Sequence, residues 1–364
     1  MRRIVHIMPY EKWTQQIMDS NQRNFKEMNH RYYLYSLNPD IEDKVEKVID
    51  ESQVIWALGK KNWVYYMQLS EEIRKADKVV FHSLFMSTIM LFVVNLLGIF
   101  YRKKYSWFIW GGDVYNELWI FQDNKKNLGV FMREYMRRWY IFLVPEITGN
   151  CELDFKYLKK YYFTRAEFIK TFYQVSFLNT FHNKNENEVR ILIGNNASGT
   201  CQHIESMLAI KPYVDVNSKV YVILSYPIVN KAYKNKVIRI GRRLFGDNFV
   251  PITKFVPYEQ HIKFISTIDI VVMNQNRQQG ISNLINFLHM GTKIYMNPKN
   301  TFYYELKLNE GIVFDMQDVG ESFLEDLTAQ EKENNRIIAE KMNSDSQYRE
   351  QWGKVYRRKR GRLK

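Results

Sequence analysis

Residues 79–112 read VVFHSLFMSTIMLFVVNLLGIFYRKKYSWFIWGG, and two folds compete for them. Taken as one run, Val79 to Phe100 is 22 residues long with Arg102, Lys103 and Lys104 just behind it, the length and flank of a membrane span. Taken in pieces, KVVFHS from Lys78 is a short buried strand, LFMSTIMLFVVNLLGIFYRKK an apolar helix, and SWFIWGG a second strand. His82, Ser83 and Asn95 interrupt the single run, and the helix alone is short for a bilayer, which takes about 20 apolar residues. Strand, helix and strand make one βαβ unit, which commits the strands to a parallel sheet. The helix keeps one membrane expectation: its apolar face dips into lipid while Arg102, Lys103 and Lys104 meet the phosphates.

The same alternation extends outward in both directions. Before this stretch, RIVHIM, HRYYLYSL and ESQVIWAL read as strands, with helical EKWTQQIMDSNQRNF and WVYYMQLSEEIRK between them; after it, GVFMREYMRRWYIFLVPEITG reads as a basic amphipathic helix running into an apolar segment. HNKNENEV, from His182, is polar and aperiodic, the texture of a linker. From Val189 the pattern is regular: strands VRILIGN, KVYVILSYP, VPITKFV, DIVVMN, TKIYMN and GIVFDM alternate with helices CQHIESMLAI, NKAYKNKVIRIGRRLF, PYEQHIKFISTI, ISNLINFLHMG and TFYYELKL. Two α/β domains follow, each a doubly wound, Rossmann-like parallel sheet, with a cleft expected between them. The expected divisions are residues 1–181 for the first domain, 182–188 for the linker and 189–330 for the second domain. Residues 331–364 are expected to form a C-terminal helix and basic tail that packs back on the first domain.

A chain of 364 residues is long enough for two such cores. Its net charge of +14 points to an anionic partner, although part of that charge is the tail RRKRGRLK (Arg357 to Lys364). A basic nucleic-acid binder is the alternative of another class; no recognised binding motif supports it, so no nucleic acid is expected among the partners. Cys151 and Cys201 stand alone and build neither a disulfide framework nor a zinc site. The N-terminal MRRIVHIMPY has too short an apolar run for a signal peptide, and a cytoplasmic setting is expected. No Asp-x-Asp pair, Walker loop or histidine cluster occurs, so neither a metal nor a cofactor is expected.

Parallel α/β sheets bind ligands at the carboxyl ends of their strands. GNNASGT (Gly194 to Thr200) is one such loop. Gly194 permits close approach, Asn195, Asn196, Ser198 and Thr200 offer donors, and the following helix start suits a diphosphate. A plain Asn-rich turn would look the same, and His203 reads as a surface residue. Tyr226, in SYP, is placed to stack on a base or meet a phosphate. NQNRQQGISN (Asn274 to Asn283) carries the strongest signal: Arg277 supplies a fork for phosphate oxygens, Gln278 and Gln279 suit sugar hydroxyls, and Gly280 opens a helix. In the first half, Asp113 follows a strand and two glycines that expose it. Trp107, Trp110 and Tyr115 around it form a wall that raises its pKa toward that of a general base. The same aspartate would equally cap the helix from Val114.

WFIWGGDVY, ILIGNNASGTCQHIESM, SYPIVNKAY and NRQQGISNLINFLHMGTKIYMN resemble, in order and spacing, the family typified by TDP-N-acetylfucosamine:lipid II N-acetylfucosaminyltransferase. It is also called the 4-alpha-L-fucosyltransferase family and acts in enterobacterial common antigen assembly. The resemblance implies a metal-independent bacterial glycosyltransferase of the two-Rossmann GT-B type, peripheral at the cytoplasmic face of the inner membrane. It implies transfer of a fucosamine-like sugar from a nucleoside-diphosphate donor, TDP favoured, to a lipid-linked saccharide in surface polysaccharide synthesis; another donor, a capsule-type product or a soluble acceptor is the narrower alternative. Carried over by position, the donor side is Gly194, Asn195, Asn196, Ser198, Tyr226, Arg277, Gln278, Gln279, Gly280 and Asn283, and the acceptor side is Trp110, Gly112, Tyr115 and His82. Asp113 is the expected base of a direct displacement, with Arg277 and the two helix starts stabilising the leaving diphosphate.

Overall fold

The computed structural model describes residues 1–11, 13–36, 53–57, 63–115, 127–177, 182–183, 187–225 and 230–358. It divides into two compact units, Met1–Gln174 with Asn343–Lys364, and Val175–Met342.

The first unit holds seven strands: β1 (Arg2–Pro9), β2 (Met28–Tyr35), β3 (Val54–Ala57), β4 (Lys78–Phe81), β5 (Tyr105–Ile109), β6 (Glu146–Gly149) and β7 (Glu167–Lys170). They form one parallel sheet in the order 3-2-1-4-5-6-7. The second unit holds six: β8 (Val189–Ile193), β9 (Ser218–Ile223), β10 (Phe249–Ile252), β11 (Ile270–Met273), β12 (Lys293–Met296) and β13 (Phe314–Asp315), in the order 10-9-8-11-12-13. Both sheets run outward from their first strand and then reverse, so each has a switch point, between β1 and β4 and between β8 and β11. Loops leaving the two strands at a switch point diverge and leave room for a ligand.

The opening stretch resolves into β4, α3 and β5. The earlier helices are α1 (Thr14–Asn24) and α2 (Trp63–Lys75), and α3 covers Thr88–Tyr101. β4 is hydrogen-bonded between β1 and β5, buried on both faces, which is why its run is continuously apolar. Ser87 caps α3 by accepting from the Met90 N–H at 3.2 Å. Its 14 residues reach about 21 Å, against roughly 30 Å of bilayer hydrocarbon. Among the described residues no helix is long and apolar enough to cross a membrane.

Three elements lie where no regular structure was expected: β6, α5 (Glu152–Tyr161) and β7, which follow α4 (Leu128–Leu143). β6 begins with a charge, yet Glu146 is buried; its carboxylate takes the Lys78 ammonium at 2.6 Å and Arg358 at 3.3 Å. Lys104 also departs from expectation. It is buried beneath α2, donating to the carbonyls of Ile73 (3.3 Å) and Arg74 (2.9 Å), so it closes a helix end and does not face lipid.

Past β8 come α6 (His203–Ile210), α7 (Lys231–Phe245), α8 (Tyr258–Ile265), α9 (Ile281–Met290), α10 (Thr301–Leu308), α11 (Ala329–Met342) and α12 (Asp345–Arg357). His182 and Asn183, in the expected linker, are tied to the second unit through Asp269 (3.2 Å) and the Ser266 carbonyl (2.8 Å). The expected C-terminal segment is divided between the units: α11 belongs to the second, α12 to the first. Tyr348, Trp352, Val355 and Tyr356 of α12 join Ile4, Met8, Val80 and Phe108 in one buried cluster, covering the sheet face opposite Val5, Ile7, Val79, Phe81 and Trp107. The alternation along β1, β4 and β5 divides these residues between the faces. Residues 359–364, most of the basic tail, lie outside the described residues.

Candidate active site

The second unit's switch point carries the two loops singled out above. β8 and β11 are neighbours, so Gly194–Thr200 and Asn274–Gly280 leave the sheet side by side. Gly194 sits at φ +69°, where a Cβ would lie 2.6 Å from His203 Nε2. His203 is fully buried, not on the surface; its Nδ1 meets the Tyr233 hydroxyl at 2.9 Å, and burial lowers its pKa to about 4, so the ring is neutral. The two loops are joined by side chains. Gln279 Nε2 donates to Asn195 Oδ1 at 2.8 Å, and Gln279 Oε1 accepts from Thr200 Oγ1 at 2.9 Å. Thr200 and Ser198 hydroxyls lie 2.9 Å apart, and Asn196 Oδ1 accepts the Ser198 N–H at 2.8 Å.

This is not a solvated polar loop: Arg277 is 7 % exposed, Gln278 3 % and Gln279 9 %. Arg277 Nη1 donates to the Gln278 carbonyl at 3.1 Å. Gly280 takes φ +74°, and a Cβ there would approach both Asn195 Nδ2 and Met273 Cε to 2.8 Å. Asn283 lies one turn into α9, bonded to His261 at 3.2 Å. Neither α6 nor α9 is closed by a capping side chain; Gln202 and Gly280, both left-handed, precede them. Tyr226 lies outside the described residues. Two members of the network escaped the sequence reading. Gln275, fully buried, donates to Asn195 Oδ1 at 3.2 Å, and Gln202 donates to the Asn274 carbonyl at 2.7 Å. Gln275 belongs to the same polar run as Arg277, and a run that long behind an apolar strand was the available signal.

The first unit's expected acceptor residues divide differently. Trp110 is partly exposed, stacked between Trp13 (4.6 Å) and Tyr173 (5.3 Å), and its buried indole N–H has no partner among the described residues. Gly112 is partly exposed at the start of a helical turn, residues 112–115. Asp113, expected to be exposed by its glycines, is fully buried. Gly111, at φ +75°, reverses the chain; the Asp113 carboxylate folds back to accept from Trp107 Nε1 (3.1 Å) and the Trp110 N–H (2.9 Å). Burial pushes its pKa up to about 6, against the opposing pull of Arg137 and of these N–H groups. Arg137 itself is buried and donates to the Asp113 carbonyl at 2.6 Å.

Tyr115 and His82 do not face outward either. Tyr115 points into the core, where its hydroxyl donates to Asp154 at 2.8 Å and its ring stacks on Tyr157 at 4.5 Å, because the turn at Gly111 directs it toward α5. His82 is fully buried at the end of β4, with Nε2 on His6 (2.9 Å) and Nδ1 on the Tyr173 hydroxyl.

The family model described as "4-alpha-L-fucosyltransferase glycosyl transferase group 56" matches residues 55–360. Among solved structures, sucrose-phosphate synthase from Thermosynechococcus elongatus superposes with a TM-score of 0.68 at 10% identity, covering 98% of both chains. WaaG, a glycosyltransferase involved in lipopolysaccharide biosynthesis, superposes at 0.64 and 11% identity over 97% of this chain and 99% of its own. A glycosyltransferase from Rickettsia africae gives 0.63 at 11% identity over 98% of each chain. These likenesses give the fold, GT-B: two parallel-sheet α/β domains.

Proposed function

We propose that this chain, which belongs to the 4-alpha-L-fucosyltransferase family and is a glycosyltransferase, moves a fucosamine-like sugar from a nucleoside diphosphate, TDP favoured, to a polyprenyl-diphosphate-linked saccharide at an anionic membrane surface. The observation that carries the donor side is the joining of the Asn195 and Gln279 loops at the second switch point. In this reading Arg277 and the uncapped starts of α6 and α9 receive the diphosphate. Gln278 and Gln279 read the sugar hydroxyls, and Gly194 and Gly280 let the backbone come close. Asn195, Asn196 and Ser198 fix the loop, and Asn283 borders it. Tyr226 is assigned to the base. On the acceptor side Trp110 and Gly112 meet the saccharide. Asp113 holds their turn, and its direct use as a base would require that turn to open.

The membrane reading rests on an exposed apolar surface. α3 packs Met90, Leu91, Val94 and Gly98 inward, with Asn95 donating to the Met136 carbonyl of α4 at 2.9 Å. Its outer face exposes Ile89, Phe92, Leu96, Ile99 and Phe100, and α4 exposes Leu128, Phe131, Met132 and Tyr135. Scattered apolar residues are ordinary on a surface, but two contacting helices with apolar outer faces are not. Exposed Arg102 and Lys103 at the end of α3 add the charge that anionic headgroups attract.

The test is nucleotide-dependent melting with TDP, UDP and GDP. A ligand at 100 times its Kd adds about 2.7 kcal/mol to the folded state. The expected result is a rise in Tm, largest with TDP and reduced in Arg277→Ala. No response to any of the three would sink the donor assignment; a response to UDP or GDP alone would redirect the donor. Transfer to a water-soluble saccharide as fast as to a lipid-linked one would remove the lipid part.

A further inference from the structure

The first unit's switch point contains a line of buried rings that the reading above leaves without a task. His6 lies on β1, His30 on β2 and His82 at the end of β4, where Ser83 takes φ +123°, a conformation few non-glycine residues adopt. His82 Nδ1 meets the Tyr173 hydroxyl at 2.5 Å, His82 Nε2 meets His6 Nδ1 at 2.9 Å, and His6 Nε2 meets His30 Nδ1 at 2.8 Å. His30 Nε2 is buried and has no partner among the described residues.

Each ring therefore uses Nδ1 on one side and Nε2 on the other, always in the same sense. A neutral imidazole has one N–H and one bare nitrogen. Burial depresses the pKa of all three, His30 to about 4, His82 to about 3 and His6 well down, so all three are neutral. The rings packed on them are Tyr32, Tyr356, Phe25 and Trp352. Two arrangements satisfy every bond in the line. In one, each histidine carries its proton on Nε2, Tyr173 donates to His82, and His30 presents an N–H. In the other, each carries it on Nδ1, His82 donates to Tyr173, and His30 presents a lone pair. Mixed arrangements place two donors or two acceptors face to face.

Both end atoms are buried, in different surroundings. Tyr173 stacks on Trp110, whose ring borders the acceptor side in the reading above. His30 lines a hollow of about 290 Å³ with Gln22, Lys26, Asn29 and Gln53, room for several waters at about 30 Å³ each. We propose that Tyr173, His82, His6 and His30 form a proton relay that takes the acceptor hydroxyl's proton at Tyr173 and releases another to water at His30; this rests on Trp110 marking the acceptor side. As the acceptor oxygen bonds to the anomeric carbon and the nucleotide leaves, its O–H bond breaks. That proton goes to the Tyr173 oxygen, and the Tyr173 proton passes to His82 Nδ1. The Nε2 protons of His82 and His6 each pass to the next Nδ1, and the His30 Nε2 proton goes to water. The line ends in its second arrangement and resets by the reverse transfer once product has left and water reaches Tyr173. Tyr173 is itself buried, so the acceptor meets its hydroxyl once Trp110 has moved off the Tyr173 ring.

Two measurements test this on the full chain. In 15N spectra of the imidazole nitrogens, all three histidines are expected in one common tautomer; a mixture along the line overturns the relay whatever the substrate. In a transfer assay, His6→Gln keeps a donor and an acceptor in the middle of the line but stops tautomer exchange. A fall in kcat of about 100-fold or more is expected, the scale of general acid–base catalysis, with KM for the donor unchanged. Tyr173→Phe should fall equally, and the double variant no further. Undiminished kcat in His6→Gln, or losses that multiply in the double variant, overturn the relay. The nucleotide-induced rise in Tm distinguishes the two readings, since its absence in the wild-type protein counts against the donor assignment and leaves the tautomer result standing. Variants that fail to melt cooperatively leave the decision to the wild-type spectra.

Discussion

Gln279 and Asn195 are 84 residues apart in sequence and 2.8 Å apart in space, joined amide to amide where β8 and β11 release their loops. The bond makes the two loops one surface, and the glycines on either side set how closely they approach.

Gly280→Ala tests that closeness. The added methyl would sit 2.8 Å from Asn195 Nδ2 and Met273 Cε, at a φ of +74° that alanine tolerates poorly. We expect a loss of about 1–3 kcal/mol of stability, read by urea unfolding, together with a smaller nucleotide-induced rise in Tm. Unchanged stability and unchanged nucleotide response would mean that the loops move apart at little cost.

Asp113 predicts a pH effect of definite sign. Its carboxyl titrates at about 6 in the folded chain, against 3.8 when unperturbed, so the folded state binds the extra proton between those values. Its contribution to stability is therefore fully present below about pH 4 and is lost as pH rises through 6. A shift of roughly two units corresponds to about 3 kcal/mol. Relative to Asp113→Asn, which cannot ionise, the wild-type protein should gain up to that amount between pH 7 and pH 4. Parallel urea titrations at the two pH values check it; a constant difference would place the carboxyl in a wetter setting.

The basic cluster after α3 should divide by function. Lys104→Ala leaves the Ile73 and Arg74 carbonyls unpaired under α2, at about 1–3 kcal/mol, with a lower Tm. Arg102→Ala with Lys103→Ala should leave Tm within a degree or two and weaken co-sedimentation with anionic vesicles, as should Ile99→Asp. Equal vesicle binding by all variants would rule out this face as the docking surface.

Trp352 anchors α12 to the first unit. It is fully buried, donates to the Phe172 carbonyl at 3.1 Å and packs on Tyr173 at 4.7 Å. Trp352→Ala should cost about 3–5 kcal/mol. Chemical denaturation followed unit by unit should show the loss in the first unit and not in residues 175–342.

Much of this architecture was legible in the sequence because a strand buried on both faces is an unbroken apolar run, as in VVF of β4 or IVVM of β11. β6 was hidden by Pro145 and Glu146, since a buried glutamate is intelligible only once Lys78 and Arg358 are known to meet it. At the second switch point, polar runs behind apolar strands gave the loops directly. In the first unit the residue types drew attention to the right places, but side-chain direction depended on distant partners: Asp154 turns Tyr115 inward, and Trp107 holds Asp113. The histidine line was invisible for the same reason, its members standing 24 and 76 residues apart.

The return of α12 to the first unit also orders the birth of the molecule. Domains fold as units while the chain is being made, N-terminal parts first, yet here the earliest residues must wait. Ile4, Met8 and Phe108 lack their cover until Trp352 and Tyr356 have left the ribosome, whereas residues 175–342 are complete before that. The second unit can therefore mature first, and this face of the first unit stays uncovered until α12 has emerged.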